Sequence, residues 1–117
     1  MSKITIYHNP RCSKSRQTLS LLTERGITPT VVLYLQTPPS VDELGELINK
    51  LAISPRELLR TGEKAYQQLG LSNLELSDDQ LINAMVIHPK LMERPIVVTA
   101  TSAKIGRPPE NVLSLFE

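Results

Sequence analysis

Short apolar runs alternate along the chain with longer stretches in which apolar residues recur every three or four positions, and the two periods mark its elements. Lys3-Ile4-Thr5-Ile6-Tyr7 alternates as a half-buried strand does. From Ser13 to about Glu24 the pattern is helical, with Leu19, Leu21 and Leu22 on one face and Gly26 as the stop. Thr30-Val31-Val32-Leu33-Tyr34-Leu35 is a nearly unbroken β-forming run, which predicts a strand covered on both faces. Strand, helix and strand within about 35 residues make a βαβ unit with parallel pairing.

Pro38-Pro39 ends that strand, and a helical block of about 40–88 follows. Ser40-Val41-Asp42-Glu43 is a capping box, in which each side chain can satisfy the other residue's free backbone N–H. Leu44, Leu47, Ile48 and Leu51 continue it at helical spacing. Ser54-Pro55-Arg56-Glu57 repeats the start signal, and Thr61-Gly62 cuts that helix short after Arg60. A further piece from about Glu63 to Leu69 ends at Gly70, and Ser77-Asp78-Asp79-Gln80 opens another that carries Leu81, Ile82 and Met85 towards His88-Pro89. Strand character returns at Pro95–Thr99, and a polar turn at Thr101-Ser102 leads into Ala103–Arg107 as an antiparallel hairpin. Pro108-Pro109-Glu110 opens a closing helix with Val112, Leu113, Leu115 and Phe116 on its apolar side. The expected fold is α/β: a mixed four-stranded sheet with a helical insertion between the second and third strands, in a single domain over 1–117.

Composition narrows the function more than the fold. Thirteen basic and twelve acidic residues leave a net charge of +1, so no bulk field draws the chain to nucleic acid or membrane. No apolar run approaches a membrane span and no leader pattern opens the chain, which predicts a cytoplasmic protein. One cysteine rules out an internal disulfide and a cysteine-rich metal site. No His, Asp or Glu cluster has metal-ligand spacing and no glycine-rich nucleotide loop is present, so no bound cofactor is expected. The absence of a heptad leaves a monomer as the default.

The candidate chemistry lies in Tyr7-His8-Asn9-Pro10-Arg11-Cys12-Ser13-Lys14-Ser15-Arg16, where strand pattern gives way to helix pattern. Cys12 falls at or just before the first helical residue, where free N–H groups and the helix dipole favour negative charge. Arg11, Lys14 and Arg16 are near in sequence, and together these features favour a thiolate and an anion cradle. A lone cysteine is more often a small buried hydrophobe. The polar, basic neighbours argue against that here.

The same stretch, read as Tyr7-His8-Asn9-Pro10-x-Cys12-x-x-Ser15-Arg16, resembles the signature of the glutaredoxin-coupled arsenate reductase family. Leu59-Arg60, Arg94-Pro95-Ile96-Val97 and Gly106-Arg107-Pro108 resemble that family's three arginine segments. The likeness runs from about Lys3 to Leu115 and is to the short branch, without the C-terminal tail of longer members. It implies a thioredoxin-like fold, in which Pro95 opens the third strand after a cis bond and faces the cysteine. It also implies that Cys12 is the nucleophile on arsenate, that His8 helps keep it a thiolate, and that Ser15 hydrogen-bonds near its sulfur. Arg60, Arg94 and Arg107, with Asn9, would surround the oxyanion.

Ser15 stands where a Cys-x-x-Cys protein has its second cysteine, so Cys12 cannot close a disulfide within the chain. An external thiol is needed, and the resemblance implies glutathione as co-substrate and glutaredoxin as the partner that clears the mixed disulfide, in arsenic detoxification. Two alternatives stand beside this. Spx-type regulators that bind RNA polymerase share the fold, but they commonly use the Cys-x-x-Cys switch that Ser15 breaks. Another small oxyanion, phosphate among them, has nearly the shape and charge of arsenate. Gly62, Gly70 and Gly106 read as punctuation.

Overall fold

A computed structural model describes residues 4–116, so Lys3 of the expected first strand lies outside the described residues. The chain divides into two compact units. One comprises the described residues up to Thr37 together with those from Arg94 onward; the other is Pro38–Glu93.

The first unit is built on a four-stranded sheet of order β2-β1-β3-β4. Strand β1 (Thr5–Tyr7) runs parallel to β2 (Thr30–Val32) and antiparallel to β3 (Ile96–Val98), which pairs antiparallel with β4 (Ala103–Ile105). This is the thioredoxin-like mixed sheet that the sequence predicts. Ile6 faces Val97 across the β1–β3 ladder, and both are fully buried. They share a core with Leu22 and Val112, against which Ile4, Leu19, Ile27, Leu115 and Phe116 pack. Cutting Ile6 back to alanine would cost about 2–5 kcal/mol by the lost burial and the cavity left behind. Helix α1 (Ser13–Glu24) buries Ser15, Thr18 and Leu22, and Gly26 ends it at φ +77°, a conformation suited to glycine.

Two expectations change. Strand β2 is shorter than the apolar run and is an edge strand, with Val31 43% exposed. An unbroken apolar run signals burial but not by what element. Here its second half buries Tyr34 through a turn, in which Gln36 and Thr37 both donate to the Leu33 carbonyl. The closing helix, Pro109–Phe116, winds as 3₁₀. Over eight residues, apolar positions at 112, 113, 115 and 116 do not separate a period of 3.0 from one of 3.6.

The second unit is helical: α2 (Val41–Leu51), α3 (Pro55–Leu58), α4 (Lys64–Gln68), α5 (Asp78–Ile87) and a 3₁₀ turn, Pro89–Leu91. The boxes at Ser40–Glu43 and Ser77–Gln80 form with both reciprocal bonds, and the Ser54 hydroxyl accepts from the Glu57 N–H. Helices α2 and α3 pack against α5, with Leu44, Leu47, Leu58, Leu81 and Met85 buried. Beyond α4 the guanidinium of Arg56 donates to the carbonyls of Leu71 (2.8 Å) and Asn73 (2.9 Å), fixing a loop that has no repeating bonds of its own. None of the described helices is long and apolar enough to cross a membrane.

Candidate active site

Cys12 is the N-cap of α1, with extended backbone at φ −95°, ψ 122°. Its N–H donates to the Asn9 carbonyl (2.9 Å) and its carbonyl accepts from the Arg16 N–H (3.0 Å), so it closes the turn and opens the helix at once. The N–H groups of Ser13, Lys14 and Ser15 follow it, in the turn where a helix offers no carbonyl ahead. Asn9 shapes the approach by accepting the Arg11 N–H on Oδ1 (3.0 Å). Arg16 clamps the same loop from the helix side, donating Nη1 to the Pro10 carbonyl at 2.8 Å.

Cys12 is buried, at 8% exposure, and lies outside the apolar cluster of Ile6, Leu22, Val97 and Val112. Its polar neighbour is Arg107, whose Nη2 lies 3.8 Å from Sγ. The same guanidinium donates Nε to the Arg94 carbonyl (2.8 Å), and Asn111 Nδ2 donates to the Arg107 carbonyl. Arg107 thus links the nucleophile turn to the segment before β3. Both Arg94-Pro95 and Arg107-Pro108 are cis; the sequence reading expects the first and not the second. In Arg94, Nε and Nη1 are buried without a hydrogen-bond partner among the described residues. Buried guanidinium nitrogens left in that condition are costly, and an anion is an acceptor that would relieve them.

His8, Ser15 and Asn9 form a second cluster. His8 Nδ1 lies 2.6 Å from Ser15 Oγ, which also accepts the Asn9 N–H at 3.0 Å. This differs from the expected bond near the sulfur, because the buried Ser15 hydroxyl turns to the strand end rather than to Cys12. Burial first, and then the nearby Arg16 charge, hold the His8 pKa below its ordinary value. A neutral ring at Nδ1 can accept the Ser15 proton, so His8 serves as a hydrogen-bonding post under the loop rather than as a charge. Arg60 belongs to the helical unit, where its Nη1 pairs with Glu63 Oε1 at 2.6 Å and its N–H donates to the Leu91 carbonyl. Among the described residues no group of three His, Cys, Asp or Glu could hold a metal ion.

Residues 7–115 match the ArsC family, a span that takes in the nucleophile turn and all three arginine segments. The chain belongs to the ArsC family. It is 54% identical over 116 residues to an arsenate reductase of Escherichia coli, covering 99% of this chain and 82% of that one. It is 55% identical over 114 residues to the uncharacterized protein YfgD of Escherichia coli (strain K12), covering 97% and 96% of the two chains. The solved arsenate reductase from Vibrio cholerae superposes with a TM-score of 0.94 at 52% identity, covering 96% of each chain.

One residue that matters to this ArsC-family site, Gly106, is not a candidate in the sequence. A Cβ on Gly106 would lie 2.5 Å from Thr18 Oγ1 and 2.9 Å from Pro95 Cγ, and the Gly106 N–H donates to the Pro95 carbonyl at 2.8 Å. Gly106 is therefore not punctuation. Its missing side chain lets the backbone that carries Arg107 lie against α1 and the Pro95 ring. A glycine at the end of a strand, just before a candidate arginine and outside any turn motif, is the signal that could have raised it.

Proposed function

We propose that this protein reduces arsenate to arsenite, with Cys12 as nucleophile and an outside thiol completing the reduction. The observation that carries the proposal is the guanidinium of Arg107 beside the Cys12 sulfur. A thiolate and a multiply charged oxyanion repel each other, and a fixed cation where they meet stabilises the charge that accumulates in the transition state. Arg94 supports the reading through Nε and Nη1, two buried nitrogens without a partner among the described residues, whose N–H groups an oxyanion's oxygens can accept. Arg60 is proposed as the third arginine on the resemblance of Leu59-Arg60 to the family's arginine segment. Asn9, His8 and Ser15 hold the nucleophile turn in shape, with Asn9 also offering its amide to the anion.

The Cys12 sulfur bonds to arsenic and one arsenate oxygen leaves as water, taking the thiol's proton and one of the oxyanion's own. The sulfur of glutathione then bonds to the Cys12 sulfur. The electron pair of the broken S–As bond stays on arsenic, which departs as arsenite with the glutathione proton. Arsenic gains two electrons, and each sulfur supplies one. Glutaredoxin next takes the glutathionyl group by thiol–disulfide exchange and returns Cys12 as a thiol. A cytoplasmic setting follows, since reduced glutathione is maintained there.

The deciding experiment is arsenite release from purified protein with arsenate, glutathione and glutaredoxin, leaving out each in turn. Release is expected only from the complete mixture and is expected to vanish in Cys12→Ser. No release from the complete mixture, or arsenite made by a well-folded Cys12→Ser protein, would overturn the reading.

A further inference from the structure

Beside the nucleophile turn runs a groove of about 470 Å³ whose residues the reaction above does not use. One wall is a face of α1 carrying Ser13, Arg16, Gln17 and Glu24; the other is Pro109 and Glu110 at the start of the closing 3₁₀ helix. It begins, then, at the residue after Cys12 and at residues just after Arg107. From Ser13 to Glu24 a helix rises roughly 16 Å, enough for an extended tripeptide at about 3.5 Å per residue. Its charge is mixed, with one guanidinium, two carboxylates, an amide and hydroxyls, so a second inorganic oxyanion would meet repulsion from Glu24 and Glu110. Glu24 is also misplaced for the helix itself. It is the last residue of α1, whose final turn has no basic residue, and a carboxylate there opposes the helix dipole. Both Glu24 and Glu110 are exposed and available to a ligand.

We propose that this groove seats the peptide body of the thiol co-substrate, a short zwitterionic thiol peptide of the glutathione kind. Its ammonium group faces Glu24 and Glu110, a carboxylate faces Arg16, and its thiol lies at the Ser13 end beside Cys12. This rests on the reaction proposed above. Size favours the peptide over a protein in the groove, because a cavity of a few hundred Å³ suits a small ligand, whereas a protein partner needs about 800 Å² of surface.

The test uses S-methylglutathione, which cannot react, titrated into the wild-type chain while backbone amide resonances are followed. Shifts should concentrate at residues 13–24 and 109–111 and should largely disappear in the double variant Glu24→Gln/Glu110→Gln. In steady-state assays that variant should raise the KM for glutathione roughly tenfold, as loss of two exposed charge contacts implies. Its KM for arsenate and its rate with 2-mercaptoethanol, which has no ammonium or carboxylate, should not change. Shifts elsewhere, no shifts, or an unchanged glutathione KM would overturn the groove assignment. If the wild type releases no arsenite with glutathione, the reaction itself is wrong, and the titration still decides whether the groove takes the peptide.

Discussion

The arginines of the two units live under opposite conditions. In the helical unit Arg56 spends its guanidinium on the carbonyls of Leu71 and Asn73, and Arg60 is paired with Glu63. In the sheet unit Arg94 keeps two buried nitrogens without partners among the described residues, and Arg107 reaches the Cys12 sulfur while bracing itself on the Arg94 carbonyl. Arg56 answers a need of the fold, since it ties the loop after α4 back to α3. Arg94 costs the fold something, because a buried donor without an acceptor loses its hydration and gains nothing in return. A residue that is expensive to the folded chain and cheap once an anion arrives points to the anion.

That contrast makes opposite predictions for the two residues. Arg94→Ala should lower kcat/KM for arsenate by roughly 10–1000-fold, the range for removing one oriented cation from a developing charge. Its Tm should stay level or rise, and added arsenate, which should raise the wild-type Tm, should no longer raise it. Arg56→Ala should do the reverse, with stability to urea falling by about 1–2 kcal/mol and kcat/KM per folded molecule unchanged. The figure sits low in the range because the bond to Asn73 is exposed. Wild-type activity in Arg94→Ala, or an activity loss in Arg56→Ala beyond its unfolded fraction, would erase the distinction.

Gly106 tests whether the sheet unit's arginine must be placed to within an ångström. The added methyl of Gly106→Ala would meet Thr18, whose hydroxyl is bound to the Lys14 carbonyl within α1, and the ring of Pro95. Neither can swing aside, so the loop carrying Arg107 has to lift. Overpacking of this kind costs about 1–3 kcal/mol. A misplaced Arg107 should also cost roughly tenfold in kcat/KM, against up to 100-fold for an ångström's misplacement. Pairing it with Thr18→Ala removes the closest contact and should restore part of both. A Gly106→Ala enzyme of unaltered kcat/KM would mean that Arg107 tolerates displacement.

Legibility in the sequence follows the range over which each feature is determined. The boxes at Ser40 and Ser77 are local: the residues that start those helices satisfy one another within three positions. The β1–β2 and β3–β4 pairings follow from connection rules, and Cys12 and the arginines from a motif. Other features depend on residues the chain brings together from afar. Arg56 meets its carbonyls 15 and 17 positions on, and no local pattern marks either partner. The clash awaiting a Cβ at Gly106 involves Thr18, and whether Thr30–Leu35 is central or edge depends on the placement of β3 and β4. The partners of Ser15 are hidden for a finer reason. A hydroxyl can serve any of several acceptors, and only the packing of the strand end turns it to His8.

The smallest effect concerns that His8–Ser15 pair and separates a hydrogen-bonding histidine from a charged one. Burial, and then Arg16, depress the His8 pKa below the ordinary 6.5, so between the two values the unfolded chain binds the proton that the folded chain refuses. Stability therefore rises with pH through that window: it is complete above about 6.5 and declines as pH falls towards the folded value. Urea unfolding at pH 7.5 and 5.5 should show a lower midpoint at the acid end. His8→Asn, which keeps an acceptor near Nδ1 but cannot titrate, should flatten that slope while retaining most of the stability at pH 7.5. A folded His8 that held a positive charge beside a thiolate would have a raised pKa and the opposite slope. Stability that increases on acidification, and loses that increase in His8→Asn, would return His8 to the role of a cation serving Cys12.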